Sequence, residues 1–137
     1  MANVLFNGYK SRLLNGGTVP DWDTSTIRLT AIDTADDDPD PTVDDFYDDI
    51  AAAARVATAN LASVTVSAAG VVDAADTTFS SVTGDQFEEL LLDFDAGGAE
   101  AADLLLVRID TASSGLPATP NSGDIDVQWN AAGILAL

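Results

Sequence analysis

Two leucine-rich stretches, "QFEELLLDFDAGG" and "ADLLLVRIDTASSG", meet at an Ala96-Gly97-Gly98 turn. Each reads as a strand, and three consecutive leucines leave neither strand a polar face. Such a pair must be covered on both sides, either by other parts of its own chain or by a neighbouring subunit. In a sandwich of only 137 residues few strands are doubly covered, so the sequence leaves both solutions open.

The surrounding segments supply a leading helix and further strands. In "NVLFNGYKSRLL", Leu5, Phe6, Tyr9 and Leu13 fall on one side at helical spacing, and Asn15-Gly16-Gly17 provides a stop, which predicts a helix over Asn3–Leu14 weakened by Gly8. The period then changes from 3.6 to 2: in "TIRLTAID", Ile27, Leu29 and Ala31 alternate with Thr26, Arg28 and Thr30. "FYDDIAAAARV" reads as a short helix, with Arg55 in its last turn or in the next strand. "NLASVTVSAAGVVDAADTTFSSVTG" gives several short β-prone runs broken at Gly70, at Asp73–Asp76 and at Gly84. In "DIDVQWN", Ile125, Val127 and Trp129 oppose Asp124, Asp126 and Gln128, and "GILAL" closes the chain as an apolar strand.

About seven or eight strands behind one helix predict a mainly β chain: an antiparallel β-sandwich, jelly-roll-like, with a short N-terminal helix. The proline loop "SSGLPATPNSGD" is read as internal to a single domain spanning 1–137, because strand pattern continues beyond it.

Charge restricts the partners. There are 23 acidic residues against 5 basic ones, a formal net charge of −18. Nucleic acid and anionic membrane surfaces are disfavoured, since both need clustered lysine and arginine. The start of the chain lacks a basic region followed by a long apolar run, and no stretch is apolar enough to span a bilayer; a soluble, unsecreted chain is expected. The excess is nearly all aspartate, with Lys10 as the single lysine, a pattern like that of proteins from extreme halophiles. At molar salt the Debye length falls to roughly 3 Å, and the self-repulsion of such a chain is screened.

The chain contains neither cysteine nor histidine, which removes thiolate chemistry, Cys-ligated zinc and the usual general base. Lys10 beside Ser11 does not have the spacing of a Ser-Lys nucleophile, and no phosphate-binding glycine loop is present. We read no enzyme and no cofactor. Trp22 and Trp129 could stack on sugar rings, but Trp129 shares the period of a buried face, so core packing is the simpler reading of both.

"DTADDDPDPTVDDFYDD", Asp33 to Asp49, has nine aspartates among seventeen residues. Calcium would suit its hard oxygens, but an EF-hand register fails from either start: Ala35 occupies position 3 when counting from Asp33, and Pro41 replaces the glycine when counting from Asp36. An irregular calcium site stays open as an alternative to a solvated loop. Mimicry of DNA fits poorly, because the charge is gathered in one proline-broken loop. Phe46, Tyr47 and Ile50, set among these aspartates, are expected to anchor the segment to the sandwich or to a neighbour. With Leu104 and Leu106 they are the candidate interface residues.

The segments "RLLNGG", "DTSTIRLTAID", "DDFYDDI", "GVVDAADTTFSSVTGD", "LLLVRIDTA" and "LPATPNSGDIDVQWNAAGILAL" cover nearly the whole chain. In these the sequence resembles small virion structural proteins of tailed phages and haloarchaeal tailed viruses, of the capsid decoration or cement type. Relatives carry more lysine and a less acidic loop before "DDF". The resemblance implies a jelly-roll-like sandwich, made in the host cytoplasm and bound to the outer capsid surface. Its partners would be the major capsid protein and its own copies, as a dimer or trimer. The alternatives are a tail or neck component and a turret-like module that binds host glycans.

Overall fold

A computed structural model describes residues 3–137. The chain is mainly β, with antiparallel sheets and one short N-terminal helix, in a sandwich-like arrangement. The two leucine strands lie at the centre. In a five-stranded sheet, β1 (Val4–Leu5) pairs with β8 (Leu104–Ile109), then follow β7 (Glu89–Phe94), β2 (Ile27–Ile32) and β3 (Arg55–Asn60) at the far edge. The second layer is two short sheets: β10 (Leu135–Ala136), β5 (Val71–Asp73) and β4 (Thr65–Val66) form one, and β6 (Thr77–Phe79) with β9 (Ile125–Val127) forms the other.

Both faces of the large sheet are covered, so the leucine runs are explained by the chain itself. Leu90, Leu92, Leu104 and Leu106 join Ile27, Leu29, Phe79 and Phe87 in the core between the layers. Leu91 and Leu105 point the other way, into a smaller cluster with Phe6, Ile32, Tyr47, Ile50 and Ala54. Strand alternation sends neighbouring leucines into two different apolar layers. The second cover is the aspartate-rich segment and the turns that follow it.

The leading helix, α1, spans Asn7–Asn15 and ends on Gly16 in the left-handed region, as its stop signal predicts. It starts later than the sequence reading placed it: Val4 and Leu5 pair with Arg108 and Val107 as an edge strand, because β8 offers unpaired backbone that no local pattern reveals. Gly8 has a packing reason, since a Cβ there would collide with the side chain of Asp45. "FYDDIAAAARV" is also corrected. It forms two 3-10 turns, Tyr47–Asp49 and Ala52–Ala54, and Arg55 opens β3. Arg55 binds the carbonyls of Tyr47 and Ile50 at 2.8 and 2.6 Å, and so ties down the groups a continuing helix would have used.

Two β-bulges decide which face the arginines take. On β3, Ala57 pairs with Ala31 but Arg55 pairs with Ile32, leaving Val56 as the extra residue. On β8, Leu105 pairs with Asp93 and Val107 with Leu92, leaving Leu106 over. Strict alternation would have put Arg55 beside Ala57, and Arg108 beside Leu104 and Leu106, against the main core. The bulges turn both onto the face covered by the acidic segment.

Candidate binding surface

All four arginines of the chain hold that segment. Arg108 donates to Asp38 at 2.8 Å and to the Pro39 carbonyl at 2.9 Å, while also binding Glu89. Arg28 and Arg55 lie over the ring of Tyr47, 3.7 and 4.0 Å from its centroid, and Arg12 lies 5.5 Å from that of Phe46. Six of the nine aspartates accept hydrogen bonds that shape the loop or fix it to the sheet. Asp37, for instance, accepts from the Ala51 amide at 2.6 Å, and Asp49 from those of Asp45 and Phe46 at 2.9 Å. The segment is therefore more than hydrated surface. Its carboxylates replace missing turn partners, as short Asx side chains do.

The interface candidates fall on both faces of the large sheet, and the chain covers them itself. Tyr47 and Ile50 are buried in the smaller cluster, Leu104 and Leu106 in the main core, and Phe46 is half-buried beside Leu104, with which it forms a bridge. Phe46, Tyr47 and Ile50 anchor the segment to the sandwich. The apolar surface available to a partner lies elsewhere.

The most perturbed carboxyl group is structural in position. Asp93 has no exposure and is pushed up to about 7, first by burial and then by the neighbouring Asp103 and Asp95, against the pull of Arg28. Arg28 bonds to Asp93 at 2.6 Å and Asp103 at 3.0 Å, with Asp95 at 3.7 Å. Burial alone would lower its pKa, but these carboxylates carry it above the usual value. Three acids thus share one cation under the Tyr47 ring.

Asp33, Asp36 and Asp85 place carboxylate oxygens within 4.8 Å of one another. Asp33 is buried and accepts from the Ala35 amide, while the other two are exposed. The set offers a hard cation three ligands of the six to eight that calcium takes. Sequence reading missed Asp85 because it is distant in the chain and only the fold brings it to the end of β2.

Along the chain, acids and exposed large apolar side chains are separated. Every acidic side chain falls within residues 21–49, 73–110 or 124–126. Of the five large apolar side chains exposed among the described residues, Leu13, Leu14, Val66 and Leu137 lie outside those stretches and Val43 lies inside. Leu5, Lys10, Leu13, Leu14 and Leu137 line one groove of about 380 Å³, joining α1 to the end of β10. A second cleft of about 460 Å³ opens beside β9, lined by Trp129, Asn3, Gln128, Asn130, Ser113 and Ser114 above an apolar floor.

The two tryptophans separate here. Trp22 is buried in the main core and donates its indole N–H to the Tyr9 hydroxyl at 2.8 Å, so its ring is not a surface for sugars. Trp129 is half-buried at the cleft and donates toward Thr77 at 3.4 Å. Among the described residues no helix is long and apolar enough to cross a membrane. No protein-family model matches the chain, and no curated protein matches it.

Proposed function

We propose that the chain is a non-enzymatic structural protein of the virion, a decoration protein that sits on the outer face of the capsid shell and stabilises the head. The observation that carries this reading is the separation, along the chain, of acidic stretches from exposed large apolar side chains. Acids are confined to three stretches of the sequence, and four of the five large apolar side chains exposed among the described residues lie outside them. A decoration protein needs a hydrated side facing the medium and an uncharged side that can be buried against other subunits. The Val66 hairpin and its surroundings would meet the major capsid protein. Binding only to the assembled shell stabilises it by mass action, RT ln(1 + [L]/Kd) per site. Copies would associate as a closed dimer or trimer.

The test is the location and copy number of the protein on purified particles, read by quantitative protein analysis and a density map at modest resolution. Stoichiometry matched to capsid subunits supports the reading, whereas absence, or the low copy number of a tail or neck component, removes it.

The cleft beside Trp129 favours one further reading, a module that binds neutral host glycans. Its indole, amides and hydroxyls suit a sugar, and it lacks the cations that a phosphate would need. A glycan array in molar salt that stays silent eliminates it.

A further inference from the structure

The leucine groove and the one exposed large apolar side chain of the acidic segment, Val43, have matching chemistry. The groove is walled by Leu5, Leu13, Leu14 and Leu137 with Lys10 at its rim. Val43, 72% exposed, sits on a turn flanked by Asp40, Asp44 and Asp45. An apolar pocket beside a cation faces, on the same molecule, an apolar knob framed by carboxylates.

Both features are placed by α1. The Pro41 carbonyl, two residues from Val43, accepts from the Asn7 amide at 2.8 Å at the start of the helix. Leu13 and Leu14 lie toward its end, six and seven residues on, a separation of about 10 Å. Two copies set antiparallel along this helix bring each groove opposite the other's Val43, and the contact is made twice about a two-fold axis. A contact through the acidic stretches would oppose acids to acids in two molecules of charge −18. Here Lys10 meets Asp40 and Asp44, and leucine meets valine.

We propose that the groove beside α1 receives Val43 of a second copy of this chain, forming a closed dimer. The inference rests only on the oligomeric part of the functional reading and names the surface through which copies meet.

Sedimentation equilibrium of the full chain in molar KCl tests it, with the fold of each variant checked by circular dichroism. The expected result is a dimer that Leu14→Asp and Val43→Asp each weaken at least about tenfold, or 1.4 kcal/mol, with unchanged spectra, both residues being exposed. Lys10→Glu should weaken it less. A monomer at every concentration overturns this inference together with the oligomeric reading. An oligomer indifferent to both aspartate substitutions overturns this surface alone and leaves the oligomeric reading standing, and so does loss in Leu14→Asp without loss in Val43→Asp. A stoichiometry other than two overturns the two-fold contact.

Discussion

The phenol ring of Tyr47 is held between two guanidinium groups, those of Arg28 and Arg55, which come from strands on the same sheet and lie 3.7 and 4.0 Å from its centroid. Its hydroxyl shares a hydrogen bond with Thr30 at 3.1 Å, and burial raises its pKa before that bond and the arginines offset part of the effect. One aromatic ring therefore fastens the acidic cover to the face it protects.

Replacing Tyr47 by alanine should cost about 3–5 kcal/mol, as loss of a buried aromatic does. Tyr47→Phe should cost only about 1 kcal/mol, the value of one hydrogen bond. Denaturant titration in molar salt measures both, and equal losses would mean that the ring packing and the paired arginines contribute little.

Among the described residues, Arg108 is the only cation bonded to the buried carboxylate of Glu89. Arg108→Met strands that carboxylate, and it also releases Asp38 and Pro39, so a loss of about 3 kcal/mol is expected. The double variant with Glu89→Gln should recover part of it. A double variant no more stable than Arg108→Met would assign the loss to Asp38 and Pro39 instead.

Asp93 sets a pH dependence. Its carboxyl pKa in the folded chain, about 7, lies above the ordinary value of 3.8, so the folded state holds the proton more tightly than the unfolded one. The stability from this group is present at acid pH and is lost as the pH rises through about 7. Asp93→Asn should flatten that decline in the unfolding free energy across this window. An unaltered slope would place its origin elsewhere.

Within the acidic segment, the Asp37 carboxylate matters through the Ala51 amide that it binds at 2.6 Å. Asparagine keeps an acceptor oxygen, so Asp37→Asn should change stability little, whereas Asp37→Ala should cost about 1 kcal/mol. Phe46→Ala, which removes the half-buried ring under Arg12, should cost more than either. A large effect of Asp37→Asn with none from alanine at Phe46 would return the segment to a charge-specific role such as cation binding.

The bulge residue Val56 permits a test of geometry. Val56→Ala leaves the register of β3 intact and trims a partly buried side chain, a cost of about 1–2 kcal/mol. Deleting Val56 removes the bulge and makes Arg55 the direct neighbour of Ala57, so plain alternation then keeps Arg55 opposite Ile32, on the face of Tyr47 and Glu100. The deletion should therefore cost about as much as the alanine variant by thermal denaturation, and a several-fold larger loss would show that the bulge shapes β3 beyond the face that Arg55 takes.

Local pattern carried much of this fold. Alternation in "TIRLTAID" and "DIDVQWN", the Gly16 stop and the meander breaks are each set by residues within a few positions of one another, and the corresponding elements form. The segments also carried the anchoring role of Phe46, Tyr47 and Ile50, because apolar side chains among aspartates have only the sandwich or a neighbour to pack against. What covers the leucine strands was not legible. The choice between self-cover and a subunit contact depends on whether the chain folds back over its own sheet, which no local period encodes. The faces of Arg55 and Arg108 were equally hidden, since a bulge is a mismatch between two strands and exists only once they are paired. Asp85 joined Asp33 and Asp36, and Leu137 joined Leu13 and Leu14, for the same reason. The sequence by itself determined where strands, turns and charge lie along the chain, through the steric and hydrophobic preferences of neighbouring residues. Tertiary pairing alone decided which side chains meet, because register and layer packing are set by contacts between residues distant in the chain.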